Sequence, residues 1–223
     1  MTPTSALTTL RNRGTFVGSS PRKVLEPLLI VGWLAVLMCG FYALIDFDLR
    51  PTSHGRPDVS WPTGAPIERA TQGSTLVVFL HPRCACSQAT VSELARVLEH
   101  AGRKVETYVY FVRPPGTPTD WEQGALWRAT AKIPGVRLLV DPDGIEAARF
   151  GAESSGAALL YDAAGHLTFA GGLTASRGHF GANPSSDQLI TTINSDHRAI
   201  VTADVFGCPL TGLSRATAPG GPP

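Results

Sequence analysis

The chain has 223 residues, with 19 lysines and arginines against 18 aspartates and glutamates and four cysteines. The balanced charge excludes the basic footprint of a nucleic-acid binder. Four cysteines, two of them almost adjacent, exclude a disulfide scaffold and favour a dedicated thiol site. Charged residues make up 17% of the chain, below the roughly 25% usual for soluble domains, and part of that deficit lies in one run, Leu28 to Ile45.

Residues 1–23 are rich in Ser, Thr and Gly and carry Arg11, Arg13, Arg22 and Lys23 with no acidic residue, which reads as a basic cytoplasmic segment. The following LLIVGWLAVLMCGFYALI is 18 uncharged residues, close to the ~20 that cross a hydrocarbon core. A cleaved signal peptide has a shorter apolar core and a small-residue cleavage site; here Asp46-Phe47-Asp48 follows. Residues 24–45 are therefore expected to be an uncleaved transmembrane anchor, with Cys39 a small apolar filler inside it. Basic residues before the span and acidic ones after it predict a single-pass protein of the inner membrane, its C-terminal part on the extracytoplasmic, periplasmic side. Residues 46–74 contain Pro51, Pro57, Pro62 and Pro66 with Gly55, Gly64 and Gly73, the composition of a linker rather than a packed element.

A globular domain is expected over 75–210. Leu76 to Leu80 reads as a strand, and Val91, Leu94, Ala95 and Leu98 then recur at helical spacing. Lys104 to Val112 is a second strand, closed by Pro114-Pro115-Gly116. Thr119 and Glu122 have capping-box spacing and predict a helix through Lys132. Val136 to Val140 is a third strand before an Asp141-Pro142-Asp143-Gly144 turn, and Ile145 to Phe150 gives one or two helical turns. Ala157 to Tyr161 and Leu167 to Ala170 form a hairpin around Asp162 to Gly165. A last helix is expected from Ser185 to His197, and residues 211–223 read as a disordered tail.

Between the first strand and helix stands His81-Pro82-Arg83-Cys84-Ala85-Cys86-Ser87. A cysteine at a helix N-terminus meets unpaired N–H groups and the positive end of the macrodipole, and both favour thiolate. Ser87 is the expected N-cap. Residues two apart can close a disulfide, though in a tight ring, and strained disulfides are the more oxidising ones. The same thiolates suit Cu(I), for which an imidazole from His81, His166 or His179 would complete the coordination; Cys84, Cys86 and His179 are the candidate set. Arg177 and Asn183 are candidates for pinning the glycine-rich loop through backbone carbonyls. Cys208, in Val205-Phe206-Gly207-Cys208-Pro209-Leu210, is either a buried thiol or a third redox partner.

The element order, the HPRCACS corner and the later LLYDAAGHLTFAGGL together resemble the thioredoxin-like superfamily. HPRCACS with GGLTASRGHFGAN and FGCPL is similar, more narrowly, to the RedB-type bacterial thioredoxin-like proteins. The resemblance spans about residues 61–210. It implies an α/β fold with a central mixed sheet flanked by helices, Cys84 as the exposed attacking thiol and Cys86 as its resolver, and protein thiols or disulfides as partners; His81, Arg83 and His179 are candidate auxiliary residues beside it, and Cys208 a candidate resolving thiol. Two departures qualify it: one residue rather than two separates the cysteines, and Ser154-Ser155-Gly156 stands where the superfamily carries a proline facing them. The expectation is a membrane-tethered thiol–disulfide oxidoreductase needing no cofactor. Cu(I) handling and a non-catalytic interaction module are the alternatives.

Overall fold

A computed structural model describes residues 21–53, 55–195 and 199–210. The basic segment through residue 20, the tail 211–223 and the expected helix end at His197 lie outside them. The chain forms two compact units that divide between Ile45 and Asp46.

The first unit holds most of helix α1 (Pro21–Leu49), which accommodates Pro27 in its interior. Its stretch Leu25–Leu49 is long and apolar enough to cross a membrane. At 1.5 Å per residue, 25 residues reach about 37 Å, more than the ~30 Å hydrocarbon core. Leu28, Leu29, Ile30, Val31, Trp33 and Val36 are exposed, as a lipid-facing helix requires.

The second unit is built on one six-stranded sheet of order β3-β2-β1-β4-β5-β6. Strand β1 (Ser74–Leu80) runs parallel to β2 (Val105–Arg113), which runs parallel to β3 (Val136–Pro142). On its other side β1 pairs antiparallel with β4 (Ala157–Asp162), which pairs antiparallel with β5 (Leu167–Gly171). The two-residue β6 (Val201–Thr202) adds a parallel edge. Leu76, Val77, Val78, Phe79 and Leu80 all have no exposed surface, so β1 is covered on both faces, and its unbroken apolar run is what such a strand needs.

The pleat divides those side chains between two cores. Leu76, Val78 and Leu80 pack with Val91, Leu94 and Val97 of α2 (Ser87–Glu99), Leu126 of α3 (Ala125–Thr130), and Leu189 and Ile193 of α5 (Pro184–Asn194). Val77 and Phe79 face the other way, onto Tyr110, Phe150 and Ala147 of α4 (Ile145–Arg149).

Segment 46–74, expected as an unpacked linker, is part of that second core. Ile67 and Ala70 are buried, and the Trp61 ring meets Phe150 and Tyr161 edge-on at 5.4 and 5.2 Å. Its backbone is anchored as well, through bridges from Thr52 to Val205 and from Ser60 to His166. The prolines and glycines shape a chain that cannot be helical, yet Trp61 and Ile67 supply the apolar cover this sheet face lacks.

The helix expected from Thr119 is also corrected. Residues Thr119–Gly124 form turns, and α3 begins only at Ala125. Glu122 does not cap a helix; it is fully buried and takes two hydrogen bonds from Arg113, from Nε at 2.7 Å and Nη2 at 2.6 Å. A buried carboxylate needs a paired cation more than a helix end needs a box. The Asp141–Gly144 turn likewise has an added role. Asp141 belongs to β3, and its carboxylate accepts the N–H groups of Glu146 and Ala147, both at 2.8 Å, at the start of α4.

Candidate functional site

The corner after β1 is a succession of tight turns. The Cys84 N–H donates to the His81 carbonyl at 3.0 Å and the Ser87 N–H to the Cys84 carbonyl at 3.1 Å. Cys86 is the N-cap of α2, and its carbonyl accepts the N–H groups of Ala89 and Thr90. Ser87, expected in that role, is the first helical residue. Its buried hydroxyl is drawn instead to the Ser155 hydroxyl, 2.7 Å away.

Ser155 ties the corner to the rest of the site. Its hydroxyl accepts the His81 N–H at 2.7 Å, and its own N–H donates to the Cys208 carbonyl at 2.8 Å. With the Ser154–Pro209 bridge and the Leu210 N–H on the Glu153 carbonyl at 2.9 Å, residues 208–210 run antiparallel to 153–155. Gly207 permits this approach: a Cβ there would lie 1.8 Å from the Ser155 carbonyl oxygen. The Ser154-Ser155-Gly156 stretch, which departs from the proline pattern, thus delivers Cys208 to the cysteine corner.

Cys84 stands in the middle of the three thiols. Burial opposes its ionisation, but side-chain hydrogen bonding with Cys208 and Ser87, together with the N–H groups of Cys208 and Cys86, outweighs burial and holds its pKa below the usual thiol range. The other two move the opposite way. Cys86 is raised by burial and the adjacent Cys84 charge, against the pull of Arg177. Cys208 is pushed up to about 12, by burial first and then by its hydrogen bond to Cys84 and the charges of Cys84 and Cys86. Of the three, Cys84 is the one whose surroundings favour the thiolate, the form in which a cysteine is nucleophilic. Cys84 is only 4% exposed, however, whereas Cys86 is half-buried. The expectation of an exposed attacker is corrected: the hydrogen bonds that favour its thiolate come from groups that also cover it.

Arg177 is a candidate pin for its loop. It fills that role, with Nη1 on the Gly207 carbonyl at 3.0 Å and Nε on that of Phe47 at 3.1 Å. Its charge also lies beside Cys86 and Cys208, favouring their thiolates. Asn183 caps α5, its Oδ1 accepting the N–H groups of Ser185 and Ser186, while its Nδ2 donates to the Leu173 carbonyl at 3.0 Å. Glu93, a buried carboxylate on α2, takes the Gly181 N–H at 2.9 Å and so fastens the same loop to the active helix. Glu93 pairs locally with Arg96, at 2.9 Å, but no local signal marks its hold on the loop, because Gly181 lies 88 residues along the chain.

His81 is buried. Its Nδ1 accepts the Arg83 N–H at 3.3 Å, which places the proton of the neutral ring on Nε2. Burial, then the Arg83 charge, lowers its pKa. Trp121 packs edge-on to the His81 ring at 5.5 Å, and Arg83 lies over the indole at 4.6 Å, so a cationic and aromatic ledge borders the thiols. His179 is exposed, as is Phe180 beside it. Among the described residues no three His, Cys, Asp or Glu side chains converge so as to hold a metal ion. The Cys84, Cys86 and His179 set expected for Cu(I) is not brought together among the described residues.

No family model and no curated protein matches the chain. Solved structures do. An uncharacterised conserved protein from Geobacillus kaustophilus aligns at 15% identity and TM-score 0.53, covering 74% of this chain and 93% of its own. A hypothetical protein from Sinorhizobium meliloti aligns at 17% and 0.50, covering 72% and 93%. A secreted Mycobacterium tuberculosis disulfide oxidoreductase, described as homologous to E. coli DsbE, aligns at 18% and 0.41, covering 62% and 95%. With a parallel β1–β2 pair, an antiparallel β4–β5 extension and its cysteine corner joining the carboxyl end of the central strand to a helix, the fold is thioredoxin-like.

Proposed function

We propose that the chain is a membrane-tethered thiol–disulfide oxidoreductase acting on protein thiols or disulfides outside the cytoplasm, with Cys84 as the attacking thiol and Cys86 as its exchange partner. The observation that carries this reading is the set of hydrogen bonds that lowers the Cys84 pKa while the neighbouring Cys86 is raised. A buried structural thiol is pushed the other way. The apolar helix Leu25–Leu49 supports the membrane part of the proposal, and an extracytoplasmic location suits a dithiol that must persist in both redox states.

The reading is tested by the pH profile of alkylation on the full chain in detergent, with Cys39→Ser to silence the helix thiol. Cys84 should reach half-maximal reactivity at a lower pH than Cys86. The midpoint rather than the rate is compared, because Cys84 is the more covered. Equal midpoints, or an order reversed in favour of Cys86, would overturn the assignment of the attacker.

A further inference from the structure

Cys208 sits 122 residues beyond Cys86 in the numbering, yet the pairing of 208–210 with 153–155 brings it to Ser155, whose hydroxyl is bound to the cysteine corner. The three thiols are not equivalent in their neighbours. Ser155 joins them: its N–H donates to the Cys208 carbonyl while its hydroxyl holds the His81 N–H and the Ser87 hydroxyl on either side of Cys84, and the ionisation of Cys84 responds to both other thiols. Cys84 is thus the shared member of two thiol pairs. One pair lies within the corner, in a tight ring of adjacent turns. The other joins the corner to a separate edge segment whose backbone is fixed by the Ser155 N–H on the Cys208 carbonyl, the Arg177 bond to the Gly207 carbonyl, and the bare Cα of Gly207.

Resting on the oxidoreductase reading above, the geometry points to Cys208 as a second resolving thiol, so that Cys84 forms two alternative disulfides, one with Cys86 and one with Cys208. The Cys84 thiolate attacks a substrate disulfide. The substrate S–S bond breaks, one substrate sulfur leaves as thiolate and takes a proton, and a mixed disulfide joins Cys84 to the other. Cys208 then loses its proton and attacks the Cys84 sulfur. The mixed disulfide breaks, the second substrate thiolate leaves and is protonated, and the Cys84–Cys208 disulfide forms. The substrate disulfide has gained two electrons and the protein dithiol has lost them. Attack of Cys86 on Cys84 would next move the disulfide to the corner and free Cys208 with no net redox change. An external dithiol reductant, running the same exchanges backwards, returns the protein to its reduced state.

The arrangement also times the second thiol. Burial and the hydrogen bond and charge of Cys84 are what hold Cys208 protonated. The Cys84 charge disappears once Cys84 enters a mixed disulfide, so Cys208 becomes the better nucleophile at the moment it is needed.

The test uses the full chain in detergent, with Cys39→Ser, and oxidised glutathione as the substrate disulfide. In Cys86→Ser the glutathione adduct on Cys84 should be short-lived, giving way to a Cys84–Cys208 disulfide found by peptide mapping. In the Cys86→Ser, Cys208→Ser double variant the adduct should persist about tenfold longer or more, since an intramolecular thiol competes at high effective concentration. An adduct equally long-lived in both, with Cys208 still a free thiol, overturns the proposal. The Cys208→Ala variant separates this failure from failure of the parent reading. It should still close Cys84–Cys86, and only the loss of that disulfide and of any Cys84 adduct would count against the oxidoreductase itself.

Discussion

At the scale of single residues, the chemistry of the corner is set by which groups face the Cys84 sulfur. Ser87 is one of them, and its hydroxyl is held in place by Ser155. Replacing Ser87 with Ala removes a donor that favours the thiolate without adding bulk. The alkylation midpoint of Cys84 should therefore move to higher pH, while that of Cys86, which Ser87 does not contact by any bond described above, should stay closer to its original value. An unchanged Cys84 midpoint would show that the backbone N–H groups of Cys86 and Cys208 suffice. The cysteine pair itself is legible in the sequence, because the apolar period changes from strand to helix across it. Arg177 as a pin for its loop and Cys208 as a candidate third thiol are named from the sequence, but the tie that Ser155 makes between Cys208 and the corner is not, since its partners lie scores of residues away and leave no local pattern. The histidine ligand set fails for the same reason: composition shows which donors exist, not which of them converge.

At the scale of elements, two junctions govern the site. The first is the antiparallel contact of 208–210 with 153–155. Gly207→Ala puts a Cβ where the Ser155 carbonyl oxygen stands, so the edge must shift. A loss of about 1–3 kcal/mol, in the range of overpacking, is expected in urea unfolding. The second is the buried Arg113–Glu122 pair at the carboxyl end of β2. The hydrogen bonds from Arg113 lower the Glu122 pKa in spite of burial. A depressed carboxylate contributes stability that is present above the unfolded value of about 4.3 and is lost as pH falls through the folded one. Glu122→Gln should accordingly be less stable than the parent near pH 7, with the gap closing below about pH 4; a constant gap would mean that the charge is not what matters. The Thr119–Glu122 spacing was misleading here because a capping box and a buried ion pair require the same glutamate. Strands β1, β2, β3 and the β4–β5 hairpin were legible from apolar runs and turn residues. The two-residue β6 is too short to leave a pattern, and segment 46–74 has the composition of a spacer although Trp61 and Ile67 pack like core residues.

At the scale of the whole molecule, a thioredoxin-like domain follows an apolar helix. Arg11, Arg13, Arg22 and Lys23 precede its apolar stretch Leu25–Leu49, and Asp46 and Asp48 lie at its end. The basic side is expected in the cytoplasm. A reporter that is active only outside the cytoplasm, fused after Pro223, should therefore give signal, and a reporter active only inside should not; the opposite pattern would place the thiols in a reducing compartment. The long apolar helix was legible from length and composition alone, because a run of apolar residues needs no partner in the rest of the chain to be recognised.

The central claim, that Cys84 is the thiol that attacks substrate disulfides, is tested most directly by trapping mixed disulfides in the membranes of cells producing Cys39→Ser variants that keep a single cysteine. Cys86→Ser, combined with Cys208→Ser so that no second thiol can release the adduct, should accumulate protein adducts that a reductant dissolves. Cys84→Ser combined with Cys208→Ser, which keeps Cys86, should accumulate none. Adducts in the Cys84→Ser variant and none in its counterpart would assign the attack to Cys86 and contradict the account.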